Sequence, residues 1–136
     1  MKSAQAIKNF IVNNLDEFSA GTIAIGSISL SRYDQKNLCV IVPEGTEVME
    51  RYINGSLQTK TAFTLSFFFR GEKYPLLVEK MENAADRIQK LSMKKLASEG
   101  DVAGVELGKI EYYYDCGTVE NQATGLDVKM TIWEEK

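Results

Sequence analysis

Residues 47–70 read EVMERYINGSLQTKTAFTLSFFFR, and the fold turns on this stretch. Asn54-Gly55 is a hairpin signal when strands flank it, because both residue types accept the positive φ that tight turns require. After the turn, Leu57, Phe63, Leu65, Phe67 and Phe69 recur with a strand's period on one side, while Lys60, Ala62, Thr64 and Ser66 fall on the other. One apolar face and one mostly polar face belong to a sheet covered on a single side. Phe68 breaks the alternation and sets an aromatic ring on the polar face. Core packing at the margin of the sheet and a partner-facing position both fit that placement.

Upstream, Ala4, Ile7, Phe10, Ile11, Leu15 and Phe18 recur at helical spacing. The pattern predicts a helix with Ser3 as N-cap and Gly21 as its stop. Residues 23–42 are rich in β-branched side chains, with a polar Asp34-Gln35-Lys36-Asn37 break, and predict a hairpin of strands 24–33 and 37–42. Ile28 and Leu30 share one face of its first strand, and Ser27, Ser29 and Ser31 the other. Pro43-Glu44-Gly45 is expected to end the second strand, since proline donates no ladder hydrogen bond.

Downstream, Arg70-Gly71-Glu72-Lys73 closes the long strand and Tyr74-Pro75 opens a helix, where proline is tolerated in the first turn. Leu77, Met81, Ala84, Ile88 and Leu91 form a seam along it, predicting one helix that runs to about Ala97. Val105 and Leu107 lie on one strand phase and Ile110, Tyr112 and Tyr114 on the other, so a β-bulge is expected at Gly108. That bulge would turn both sets toward the core, burying two of the three tyrosines at 112–114. The last strand, 125–134, alternates with Leu126, Val128, Met130 and Ile132 inward. The polar loop 117–124 before it is long for a hairpin and is a candidate contact loop.

At 136 residues, 44% hydrophobic and 26% charged, the chain has the composition of one globular domain with a core of its own. The expected class is α+β, in the order α-β-β-β-β-α-β-β: a largely antiparallel or mixed sheet with two helices packed on one face. A net charge of −3 argues against a dedicated nucleic-acid binder. No apolar run approaches a membrane-spanning length, and the first twenty residues lack a signal peptide's apolar region, so a cytoplasmic site of synthesis is expected. In that reducing compartment Cys39 and Cys116 are expected to be free strand residues.

The chain contains no histidine, which removes the usual general base and most zinc sites. Carboxylates gather at Glu99-Asp101-Glu106, Glu111-Asp115 and Glu134-Glu135; a solvated surface explains them better than an acid–base pair or a cation site. A non-enzymatic protein with no cofactor and no metal is therefore expected.

Glu50-Arg51-Tyr52-Ile53-Asn54-Gly55-Ser56, with the Phe-rich strand after it, resembles the Lys/Arg-Tyr-hydrophobic-Asp/Asn-Gly-Ser segment of minor capsid or tail-terminator-like proteins of long-tailed bacteriophages. The order of elements and the closing strand with its aromatic, Trp133, are similar too. The acidic, glycine-rich SEGDVAG after Ala97 departs from that pattern.

The resemblance implies a structural protein of the virion, assembled in the host cytoplasm. Its copies would form a homo-oligomeric ring, a hexamer, that caps the tail tube and meets the tail tube protein and the head-connector proteins. No nucleic-acid specificity and no membrane are implied. Arg51, Tyr52, Asn54 and Gly55 are motif positions and, with Phe68, the candidate interface residues; for Gly55 turn geometry alone is a sufficient role. A head–tail connector or stopper, and a small monomeric adaptor or immunity module, remain the alternatives.

Overall fold

The computed structural model describes residues 2–26 and 36–136. Its elements are α1 (Lys2–Asn14), a 3-10 turn (Ala20–Thr22), β1 (Ile23–Ile25), β2 (Asn37–Arg51), β3 (Leu57–Arg70), α2 (Tyr74–Lys90), α3 (Met93–Gly100), β4 (Gly104–Tyr113) and β5 (Ala123–Glu135). The strands form one sheet in the order β1-β2-β3-β5-β4, antiparallel except for the parallel β1–β2 pair. The class is α+β with a mixed sheet, as expected, but with a third helix.

The core lies between the helices and one face of the sheet. Phe63, Leu65, Phe67 and Phe69 of β3 join Leu126, Val128, Met130 and Ile132 of β5 and the apolar seams of all three helices in a single buried cluster. The inward set expected for the last strand is therefore the observed one. Ala4, Ile7, Phe10, Ile11, Leu15 and Phe18 are all buried, as their spacing predicts. On β3 the inward phase continues past Phe63 into Thr61 and Thr59, also buried, so the apolar core gives way to hydroxyls toward the turn.

Several expectations are corrected. The first helix does not reach Gly21: it ends at Asn14, whose side-chain amide donates to the Phe10 carbonyl at 2.8 Å and closes the last turn locally. Ser3 lies inside this helix and is buried, not its cap. Residues 23–25 do not form a hairpin with 37–42; Ile23, Ala24 and Ile25 pair in parallel with Cys39, Val40 and Ile41. The rest of that expected strand, with Ser27, Ile28, Ser29, Leu30 and Ser31, lies outside the described residues.

Pro43-Glu44-Gly45 does not end a strand. β2 runs through it to Arg51, with a register shift between Pro43 and Gly45, so the separate strands expected before and after the proline are one. The Ile41 carbonyl accepts from the Gly26 N–H at 2.8 Å, so Ile41 turns its backbone groups toward β1 and away from β3. Pro43, two residues on, takes the same side, where among the described residues no strand pairs with it and its missing N–H costs no ladder bond.

The helix predicted to continue to Ala97 breaks at Leu91-Ser92, both extended, and the Ser92 hydroxyl accepts from the Lys95 N–H at 3.2 Å to cap α3. The break lets α3 pack on α1 and β4 and bury Leu96.

The bulge expected at Gly108 is present: Leu107 pairs with Met130 and Ile110 with Val128, which leaves one extra residue on β4. Val105, Leu107 and Ile110 all pack against the core. Tyr112 and Tyr114 do not follow them inward; they stack on each other at the open edge, 6.3 Å between ring centroids, and are exposed. Cys39 and Cys116 are both free, Cys39 buried in β2 and Cys116 exposed in the loop after β4 rather than in a strand.

Candidate functional site

The outer half of β2, with the turn that joins it to β3, forms an arm along one margin of the sheet; β3 beside it stays paired with β5 as far as Gln58–Glu135, so only the turn at 52–56 passes the sheet's end. β1 pairs only with Cys39–Ile41, so among the described residues the outer half of β2 is bonded to β3 alone. From Glu44 to Gly55 every residue is exposed. The second register shift, between Val48 and Glu50, falls within the arm. Bulges, Pro43 and three carboxylates, Glu44, Glu47 and Glu50, are the devices that keep an open edge from pairing with another strand, so the arm's side chains and its tip are what it presents to a partner.

The tip is held locally. The Asn54 carboxamide oxygen accepts from the Ser56 N–H at 3.0 Å and from the Ser56 hydroxyl at 2.6 Å. Gly55 has φ +87° and donates its N–H to the Tyr52 carbonyl at 3.0 Å. Tyr52 and Ser56 close the loop with a 2.9 Å backbone bond. Asn54 and Gly55 thus have a turn-forming role, which any contact role would have to share.

Four apolar side chains gather here: Val48, Met49, Tyr52 and Ile53, the last fully exposed. Beside them, partial desolvation and then the charges of Glu50 and Glu135 raise the Tyr52 phenol above its ordinary value. The sequence reading singled out Arg51, Tyr52, Asn54 and Gly55 and passed over Ile53 and Met49. The available signal was the run of apolar residues around the Asn-Gly turn, Val48, Met49, Tyr52 and Ile53, since it is several exposed apolar groups together, not one alone, that mark a contact surface.

Phe68, the fifth candidate, is not at the arm. The steps from Leu57 to Phe68 along β3 set it about 36 Å away at ~3.3 Å per residue. There an open groove of about 1080 Å³ runs between the ends of β2 and β3 and the loop after β4. Leu38 and Phe68 form its floor; Lys36, Lys73 and Arg70 stand around it; the loop 116–122 makes one wall, with Val119 almost wholly exposed. Glu72 sits between Lys36 at 3.1 Å and Lys80 at 3.8 Å, and these ammonium groups, Lys36 foremost, hold its carboxyl below the usual range. Partial burial and the nearby Asp115 raise the Cys116 thiol, which disfavours thiolate chemistry.

Between arm and groove, the face of the sheet away from the helices carries a polar network. The Tyr113 hydroxyl lies 3.1 Å from Glu111 Oε2 and 3.2 Å from Asp127 Oδ2, and Ser66 donates to Asp127 Oδ1 at 2.7 Å. The Glu111 hydrogen bond and the Asp127 charge push the Tyr113 phenol up to about 12. Lys129 reaches Glu44 at 2.9 Å and Thr64 at 2.6 Å, and the Glu44 hydrogen bond raises its ammonium. These two groups of contacts tie four neighbouring strands together on that face and fit stiffening of the sheet. Among the described residues, no group of three or more Cys, Asp or Glu side chains is placed to hold a metal ion, and no helix is long and apolar enough to cross a membrane.

Compared with models of known protein families and with curated protein sequences, the chain matches none.

Proposed function

We propose that this chain is a structural subunit of a long-tailed phage or prophage virion, a tail terminator whose copies close into a ring that caps the tail tube and joins it to the head connector. The role is assembly, not catalysis. The observation that carries the reading is the exposure of the Glu50–Ser56 stretch, on which the resemblance rests: it lies at the end of the sheet and leaves Tyr52 and Ile53 in solvent. An exposed apolar turn at the end of a sheet suits a subunit that must contact a neighbour. Point-group closure of such a contact produces rings. The resemblance puts the ring at six copies.

Multi-angle light scattering across a range of concentrations, with negative-stain images of the large species, tests this. A closed ring of one fixed stoichiometry is expected. A strict monomer at every concentration would contradict the ring and favour a binding module acting alone.

A further inference from the structure

We infer that Asn54 is a site of spontaneous self-modification, in which its side chain closes onto the Gly55 amide and loses ammonia, and that the hydrogen bonds of the turn hold this reaction back. The turn alone carries this, whether or not copies form a ring. Asn54 is the only asparagine in the chain that is followed by glycine. A side chain on the following residue crowds that residue's own nitrogen, and Gly55 has none. Both residues are exposed, and a Cβ built on Gly55 would meet no atom within 4 Å, so solvent reaches the Gly55 nitrogen from an open side.

Water is the only co-reactant. Hydroxide takes the Gly55 amide proton, the nitrogen forms a bond to Asn54 Cγ, and the Cγ–Nδ2 bond breaks as ammonia leaves with a proton from water. Nothing is oxidised or reduced. Water then opens the cyclic imide. Breaking the bond between the Gly55 nitrogen and Cγ gives aspartate, and breaking the bond to the main-chain carbonyl carbon gives isoaspartate, whose backbone runs through Cβ. Either product replaces a neutral amide by a carboxylate, so the net charge goes from −3 to −4. The longer isoaspartyl backbone also disrupts the 2.9 Å closure between Tyr52 and Ser56.

Three hydrogen bonds oppose the first step. The Gly55 N–H, whose proton must leave, donates to the Tyr52 carbonyl at 3.0 Å. The Asn54 carboxamide oxygen accepts from the Ser56 N–H at 3.0 Å and from the Ser56 hydroxyl at 2.6 Å. Those two bonds draw the oxygen toward Ser56, whereas closure needs the carboxamide carbon over the Gly55 nitrogen. Each bond that must break first slows the step by about 2- to 12-fold.

The full chain, incubated at mildly alkaline pH both folded and in urea and sampled over time, provides the test. Trypsin cuts after Arg51 and Lys60 and releases the peptide 52–60, in which mass spectrometry distinguishes the amide, aspartate and isoaspartate. Both products are expected at Asn54 in the folded chain, at a rate at least about 10-fold below that in urea. Ser56→Ala removes the hydroxyl bond alone; it should speed the folded reaction by about 2- to 12-fold and leave the rate in urea unchanged. Equal rates in the folded and unfolded chain, or a folded rate that Ser56→Ala does not raise, overturn the restraint by the turn. A folded chain that yields no product, in the Ser56→Ala variant as well, overturns the site.

Discussion

The ring of Phe18 meets the ring of Phe67 edge-on, 5.2 Å between centroids at 69°, which pins the chain segment after α1 to the C-terminal part of β3. The next phenylalanine, Phe68, faces the opposite side of the sheet and is half-buried in the groove. Two adjacent residues of one type thus hold different environments. Phe67→Ala is expected to cost about 3–5 kcal/mol through lost burial and the cavity left behind. Phe68→Ala should cost about 1 kcal/mol. Urea denaturation of the two variants side by side checks the difference.

Gly125 sits in the central part of the sheet, where an added Cβ would lie 2.9 Å from the Phe67 carbonyl oxygen. Main-chain oxygen in a paired strand has little room to give. Gly125→Ala should therefore destabilise the fold by about 1–3 kcal/mol, an overpacking effect that a shifted urea midpoint would report.

Two serines have opposite expectations. Ser92 caps α3, and Ser92→Ala should lose about 1 kcal/mol. Ser3 is buried with its hydroxyl unbonded among the described residues, so Ser3→Ala should be neutral or stabilising by up to about 1 kcal/mol. Thermal melts that move both variants down together would contradict this assignment.

Tyr113 provides a pH marker. Its hydrogen bond to Glu111 and the charge of Asp127 raise the folded phenol to about 12, against an ordinary value near 10. A folded value above the unfolded one means that the favourable contribution is fully present below pH ~10 and is lost as pH rises toward 12. Ultraviolet titration should show a phenolate step near pH 12 that Tyr113→Phe removes. A titration unchanged by that substitution would place the hydrogen bond elsewhere.

Arg51 lies on the exposed arm, clear of the core. Arg51→Glu should leave the melting curve unchanged while impairing assembly, since a like-charge contact across an interface costs several kcal/mol. Light scattering beside circular dichroism separates the two effects. Assembly unchanged in the variant would move the contact away from this position.

Local chemistry made much of the chain legible in its sequence. The alternation of β3 and β5, the turn at Asn54-Gly55 and the bulge at Gly108 each follow from neighbours within a few residues, because side-chain period and backbone freedom are local properties. The tip half of the candidate site was readable for the same reason. Tertiary placement decided the rest. Pro43 interrupts a strand only if its nitrogen faces a partner, and among the described residues β1 pairs no further than Ile41, so β2 continues to Arg51. The parallel direction of β1 and the break before Ser92 were likewise set by what those residues pack on. The groove draws on Lys36, Phe68, Lys73 and Val119, far apart along the chain, and no period or spacing joins residues that only the sheet's pairing brings together.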